Sequence, residues 1–288
     1  MKRILIQLDT DAHASSFDRV VAVDSDVDEL FSYSSVTPEN VEPLVHGGMF
    51  TRGPKDLKST AIFVGGSNVA AGEAVVDKVK NTFFGPVRVS VMLDSNGSNT
   101  TAAAAVLAAR RHLNFAETEA LVLGGTGPVG QRAAQLLASE GATVRVGSRS
   151  LERSQSACEA IAADVEDAKL TPIQAGTPDE VTSAADGVRL IIAAGAAGVE
   201  FLSVEQRQQL QSLKVAVDVN AVPPVGLAGI EVMDNGVDRD GVICFGAIGV
   251  GGTKMKIHKA GIRRLFESND QVLVTDSIYE IGKQLEEN

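Results

Sequence analysis

The 288-residue sequence contains no tryptophan, and aromatic residues make up only 4% of it. A surface that binds single strands by base stacking needs aromatic platforms, so this composition argues against one. Positive charge is scarce as well: 26 Lys and Arg stand against 37 Asp and Glu, a net charge of −11. No basic run occurs, which makes duplex nucleic acid and anionic membrane poor partners and leaves the charge as a determinant of solubility. The two cysteines, Cys158 and Cys244, lie far apart and form no CxxC. They read as free buried thiols, with no metal site and no dithiol redox pair. No apolar stretch approaches the ~20 residues of a membrane span. The initial Ile4-Leu5-Ile6 gives way to Gln7 and Asp9 too soon for a signal peptide, so a cytoplasmic location is expected. Neither GxSxG nor HExxH is present, and His13, His46, His112 and His258 are scattered. Each histidine reads as a surface or satisfied core residue rather than a catalytic or metal-binding one.

Against these absences, hydrophobic residues reach 44% and charged residues 22%, enough to build a core in a chain suited to one large domain or two small ones. Glycine is in excess, with 28 residues, and no G-X-Y period accompanies it. The apolar runs alternate between strand and helix signals. Ile4 to Leu8 reads as a strand, Ser15 or Ser16 as the cap of a helix carrying Phe17, Val20 and Val21, and Thr37-Pro38 as an N-cap and first helical residue. Residues 61–64 and 87–93 read as strands, flanking a helix that carries Val69, Val75, Val76 and Val79. The polar block from Asp94 to Thr101 leads into an Ala-rich helix over 102–111.

A polar gap at Asn114 to Thr118 reads as a domain boundary, giving an N-terminal α/β domain over 1–114 and a second domain over 115–269. A C-terminal helix around 270–288 is expected to pack back on the first. In the second domain, 121–123, 143–146, 188–193 and 215–219 read as strands. Residues 128–139, 150–163, a short segment after the capping box at Thr177, 253–267 and 275–287 read as helices. This alternation predicts an α/β fold with parallel sheets.

The glycines concentrate after predicted strands. Leu121-Val122-Leu123 is followed by Gly125-x-Gly127-x-x-Gly130, with Thr126, Pro128 and Val129 between. In that context Gly125 permits a tight turn, Gly127 lets the backbone approach a pyrophosphate, and Gly130 lets the helix pack on the strand. The helix N-terminus supplies N–H groups for phosphate. A purely structural glycine turn is the alternative. The next strand ends in Gly147-Ser148-Arg149-Ser150, without the carboxylate that would pair an NAD ribose. Arg149, with Ser148, Ser150 and Arg153, suits a 2′-phosphate, so the expected cofactor is NADP. Arg145 is a further candidate, and a solvated Arg149 is the alternative. Further polar or glycine-rich segments follow strands at Gly65-Gly66-Ser67-Asn68, Ala194-Gly195, Asp218-Val219-Asn220 and Phe245 to Gly252. Ala194, Gly195 and Asn220 are therefore candidate cofactor contacts.

The block Asp94-Ser95-Asn96-Gly97-Ser98-Asn99-Thr100-Thr101 resembles a signature of bacterial NADP-dependent methylene-tetrahydromethanopterin dehydrogenases. So do Ser59 to Gly66, Gly124 to Gly130, Asn220-Ala221-x-Pro223-Pro224, Phe245-Gly246-Ala247, Gly251-Gly252-x-Lys254-x-Lys256-x-His258 and Leu265 to Ser268. The resemblance spans nearly the whole chain and is closer to the type that also accepts methylene-tetrahydrofolate. It implies an N-terminal pterin-binding domain, a Rossmann-like doubly wound NADP domain, a cleft between them and a homo-oligomer, a trimer or hexamer. It implies hydride transfer from the methylene bridge of the pterin to NADP+, giving a delocalised methenyl cation, so the hydride step needs no base. Asp94, Ser95, Asn96, Ser98, Asn99, Thr101 and Asp218 are then expected on the substrate side. Asp94 or Asp218 would stabilise the cation or bind the pterin edge. Lys256 is the expected functional lysine, with Lys254 beside it in sequence; a solvated helix face is the alternative for both. Two other readings stay open: a shikimate-dehydrogenase-like NADP oxidoreductase and a non-catalytic NADP-sensing module.

Overall fold

The computed structural model describes residues 1–287; Asn288, included above in the last helix, lies outside the described residues. In chain order the first part holds β1 (Ile4–Asp9), α1 (Ser16–Val23), β2 (Glu29–Tyr33), α2 (Glu42–Phe50), β3 (Thr60–Gly65), α3 (Val69–Thr82), β4 (Ser90–Leu93) and α4 (Ser98–Arg110). The middle holds β5 (Glu119–Leu123), α5 (Pro128–Ser139), β6 (Thr143–Ser148), α6 (Leu151–Asp164), β7 (Lys169–Gln174), α7 (Pro178–Ala185), β8 (Leu190–Ala193), α8 (Val204–Gln209) and β9 (Val215–Asp218). The chain closes with β10 (Asn235–Arg239), β11 (Val242–Phe245), α9 (Ala247–Arg264), β12 (Val272–Leu273) and α10 (Thr275–Glu287).

Two compact units result, one of residues 1–100 with the chain from Met255 onward, the other of residues 101–254. The divisions fall inside α4 and α9, not at 114/115 and 269/270, because each of these helices runs on from one unit into the other.

The first unit is built on a five-stranded sheet of order β12-β4-β3-β1-β2, parallel throughout. Its central strand β3 is buried along its whole length, as a strand covered on both faces must be. Ile62, Val64, Val75, Val79, Val91 and Leu93 form the heart of its core. After α9 the chain adds β12, whose Val272 and Leu273 pair with Val91 and Met92. The hydroxyl of Thr275, at the start of α10, donates to Asn99 Oδ1 at 2.8 Å.

The second unit has a seven-stranded sheet of order β10-β11-β9-β8-β5-β6-β7. Strands β7-β6-β5-β8-β9 follow the doubly wound 3-2-1-4-5 order, and the chain reverses its direction of spread between β5 and β8. β11 pairs parallel with β9, and β10 pairs antiparallel with β11. The turn of that hairpin holds Asp240 and Gly241 at φ 58° and 80°, the left-handed pair of a type I′ turn.

Several local expectations are corrected. Thr37-Pro38 opens a turn, not a helix: the N–H groups of Asn40 and Val41 both reach Thr37 O, and α2 starts at Glu42. Pro43 has no N–H to continue a helix running from Pro38. The helix after the polar block begins at Ser98, and Ala247 to Gly252 belong to α9 instead of a loop. The strand expected over 87–93 covers only Ser90–Leu93, with Val87 in an isolated bridge to Phe84. Strand β7 escapes the sequence patterns because it is an edge strand interrupted by Pro172, a position where a missing N–H is tolerated. The two-residue β12 is too short to leave a period at all.

Candidate functional site

The glycine segment forms a turn between β5 and α5, at the point where the second sheet reverses. Gly124 has φ +70° and lies so close to the β8 loop that a Cβ there would sit 2.6 Å from the Cα of Gly195. A Cβ on Gly130 would run into the Gly124 carbonyl, and one on Gly125 would lie 2.6 Å from Val146 Cγ1. The backbone closes the turn with Gly127 N–H to Gly124 O at 2.9 Å and Gly125 N–H to Gly147 O at 2.8 Å. Gly127 is the N-cap of α5 and makes no side-chain capping bond. By contrast, Ser150, Thr177 and Ser203 accept a backbone N–H at the starts of α6, α7 and α8. The first turn of α5, with Pro128, Val129 and Gly130, thus keeps N–H groups for an external acceptor.

At the end of β6, the Ser148 hydroxyl lies 3.4 Å from the Thr126 hydroxyl and 3.4 Å from the Ser150 N–H. Arg149 and Arg153 are exposed. Beside them a cavity of about 420 Å³ is lined by Thr126, Gln131, Glu152, Arg153, Ser156 and Ala157. Gln131, Glu152, Ser156 and Ala157 were not anticipated, because a helix face turned toward a cavity leaves no motif. Arg145 is committed elsewhere: it pairs with Glu119 and donates to the carbonyls of Ala184 and Asp186. On the other side of β5, Ala194 N–H bonds Leu123 O at 2.9 Å, and Gly195 is covered by the Phe201 ring. Asp218, 1% exposed, accepts from the N–H groups of Asn220 at 3.0 Å and Leu227 at 2.7 Å. Burial pushes its carboxyl up from the usual carboxylate range, with those backbone donors opposing the shift. Its carboxylate therefore organises its own loop, which also contains a cis Pro223-Pro224 bond. Asn220 is half-buried and holds the Val222 N–H at 3.0 Å.

In the first unit the polar block follows β4. Asp94, 1% exposed, accepts from the N–H of Asn99 and of Thr100 at 3.0 Å each and from the Thr100 hydroxyl at 2.6 Å. It fastens the N-terminus of α4, a structural use the sequence did not separate from ligand contact. Ser95, Ser98 and Asn99 are fully buried. Ser95 Oγ bonds Gly65 O at 3.3 Å, Ser98 Oγ bonds Ser95 O at 2.8 Å, and Asn99 Nδ2 bonds Leu93 O at 2.6 Å. Asn96 is exposed at φ +55°, and Thr101 is half-buried. His258, fully buried, brings Nδ1 to 3.8 Å from Asp94 Oδ2. Two residues earlier in α9 Lys256 is exposed, while Lys254 is half-buried and belongs to the second unit. The sequence reads His258 as a surface or satisfied core residue and as part of the lysine motif, without its partner, since a lone histidine carries no signal of what it faces.

A family profile described as methylene-tetrahydromethanopterin dehydrogenase, N-terminal, matches residues 16–96. The chain is 44% identical to the bifunctional protein MdtA of Methylorubrum extorquens over 288 residues, covering 99% of each. It is also 33% identical over 281 residues, 93% of each chain, to a protein of the same organism named NAD(P)-dependent methylenetetrahydromethanopterin dehydrogenase. The chain belongs to the methylene-tetrahydromethanopterin dehydrogenase family.

Among solved structures, this family member is similar in fold to shikimate 5-dehydrogenase from Listeria monocytogenes, with TM-score 0.53, 12% identity and 97% and 96% of the two chains covered. It is likewise similar to quinate dehydrogenase from Corynebacterium glutamicum, with TM-score 0.52, 13% identity and 100% and 99% covered. At such identities the likeness speaks to the fold alone. Among the described residues no helix is long and apolar enough to cross a membrane, and no cluster of three or more His, Cys, Asp or Glu is arranged to hold a metal ion.

Proposed function

We propose that the protein is an NADP-dependent dehydrogenase that takes a hydride from the methylene bridge of methylene-tetrahydromethanopterin, and also of methylene-tetrahydrofolate, leaving the methenyl carrier. The relatives named for this activity support the reading. The observation that carries the cofactor assignment is the glycine turn feeding an α5 N-terminus without a side-chain cap, next to a β6 end that presents Ser148, Arg149 and Ser150 instead of a carboxylate.

The residues present fit the nucleotide. Gly124, Gly125 and Gly130 pack so closely on Gly195, Val146 and the Gly124 carbonyl that no Cβ fits there, and Val129 and Gly130 offer N–H groups of the first helical turn that would hold a pyrophosphate. Ser148, Ser150, Arg149 and Arg153 would hold the ribose 2′-phosphate. Ala194, Gly195 and Asn220, at the ends of the neighbouring strands, are assigned to the nicotinamide half. NADP+, when bound, supplies the hydride acceptor.

The carrier is assigned to the first unit, where Lys256 positions the pterin and Asn96 offers an exposed amide. Asp94, Ser95, Ser98 and Asn99 act by shaping the loop through the bonds described above, and Thr101 follows them on α4. Asp218 does the same for the Asn220 loop. Because the product cation is delocalised over the bridge nitrogens, the hydride step itself asks no proton of the protein. A homo-oligomer, trimeric or hexameric, acting in the cytoplasm completes the proposal.

The test is direct. Protein mixed with NADP+ and either methylene carrier should give simultaneous rises in the NADPH and methenyl absorbance bands. No turnover with either carrier overturns the assignment, and turnover with one alone restricts it to that carrier.

A further inference from the structure

The first unit contains a topological switch point. Its sheet runs β12-β4-β3-β1-β2, so the chain leaves β1 for β2 on one side and returns to β3 on the other. In open α/β sheets, ligands lie beyond the carboxyl ends of the two strands at such a point. Those ends are Asp9 with the loop that follows it, and Gly65-Gly66-Ser67. The loops are laced together. The buried Asp9 carboxylate accepts from Asp11 N–H at 2.9 Å and Ser15 N–H at 2.8 Å. The Asp11 carboxylate accepts from the N–H and the hydroxyl of Ser67, both at 2.9 Å. A Cβ on Gly65 would lie 3.3 Å from both Asp18 Oδ2 and Phe63 Cε1, which puts the first turn of α1 over the end of β3.

In that turn Phe17 is 51% exposed. An aromatic ring left half in water forgoes much of its burial energy, and here it does so beside the carboxyl ends of β1 and β3. Its ring is braced from within: the Phe17 and His258 centroids are 6.3 Å apart, and the buried His258 stacks on Phe63 at 5.5 Å with 18° between planes. A braced, half-open aromatic face beside glycine backbone suits a flat ring.

We propose that Phe17 is the platform on which the bicyclic ring of the reduced pterin stacks, over the β1–β3 crevice. The inference rests on the carrier assignment made above and adds the residue and the crevice that receive the ring. Stacking reads the ring face alone, so one platform serves tetrahydromethanopterin and tetrahydrofolate alike.

Phe17→Ala should raise KM for the carrier about tenfold, as loss of one ring–aromatic stack does elsewhere. KM for NADP+ and the thermal midpoint should stay unchanged, and Phe17→Tyr should restore the carrier KM. Because the chain has no tryptophan, Phe17→Trp adds a single reporter. With NADP+ saturating, its fluorescence should be quenched by bridge-free tetrahydrofolate and tetrahydromethanopterin. Trp in place of Phe84, which is 67% exposed beyond the other end of α3, should report no change. An unaltered carrier KM in Phe17→Ala, or an unquenched Trp in a Phe17→Trp enzyme that still turns over, overturns this inference and leaves the dehydrogenase assignment standing. Failure of the unsubstituted protein to turn over any carrier overturns both.

Discussion

His258 Nδ1 lies 3.8 Å from Asp94 Oδ2, with both side chains wholly excluded from solvent. The pair joins the end of β4 to α9. Asp94 already accepts three hydrogen bonds from Asn99 and Thr100, so one carboxylate organises the start of α4 and faces the imidazole of α9. The bonds through Asn99 extend the same cluster to Thr275 at the start of α10.

Replacing Asp94 should therefore be felt first as stability. Asp94→Ala strands two buried N–H groups of Asn99 and Thr100, at about 1–3 kcal/mol for each unsatisfied group. A total loss of about 2–6 kcal/mol in urea unfolding is expected. Asp94→Asn keeps one acceptor oxygen and should lose less. An Asp94→Ala protein as stable as the original would show that these bonds contribute nothing net.

The same cluster shows what the sequence discloses and what it conceals. The glycine turn was legible because strand, Gly125-x-Gly127-x-x-Gly130 and helix stand in one continuous run. The capping residues Ser15 and Thr177 were legible because a cap acts over three residues. Asp94 and His258 lie 164 residues apart in the chain, and nothing local to either side chain points to the other. The bonds of Asp94 are hidden for the same reason: a polar block after a strand looks the same whether its carboxylate faces a ligand or holds the start of the next helix. Of the edge strands, β7 fell below any pattern because it buries little and holds Pro172, and β12 because it is two residues long.

Arg149 tests the cofactor preference. Its guanidinium is exposed at the end of β6, so Arg149→Ala should leave the fold intact. Loss of a charge-assisted contact to a 2′-phosphate should weaken NADP+ by about 1–3 kcal/mol, a factor of roughly 5 to 150. NAD+, which lacks that phosphate, should bind with little change. Equal losses for the two nucleotides in titration calorimetry would remove Arg149 from the 2′-phosphate site.

The thiols should be inert in the native protein. Burial pushes the Cys244 thiol up to about 11, and burial also raises Cys158. At pH 8 the thiolate is then a minor species at Cys244, and neither buried sulfur is open to a reagent. Alkylation at pH 8 should modify neither cysteine in buffer and both in concentrated urea. Rapid labelling of Cys244 without denaturant would contradict its burial in the core of the second unit.

Asp218 supplies a pH dependence with a definite sign. Burial raises its folded-state pKa above the ordinary 3.8, so the native protein holds that proton more tightly than the unfolded chain does. The associated stabilisation is fully present below the unfolded value and is lost as pH rises through the folded one. Above that window the charged, buried carboxylate is a constant cost, partly offset by the N–H groups of Asn220 and Leu227. Asp218→Asn does not titrate and leaves one of those donors without an acceptor, so it should be less stable by about 1–3 kcal/mol. Its difference from the unsubstituted protein isolates the carboxyl, because every other group titrates in both. Measured by urea unfolding in steps from about pH 3.5 to 7, the advantage of Asp218 over Asn should shrink as pH rises and then level off. An advantage that grew with pH would mean that the backbone donors outweigh burial and that the carboxylate is the preferred native form.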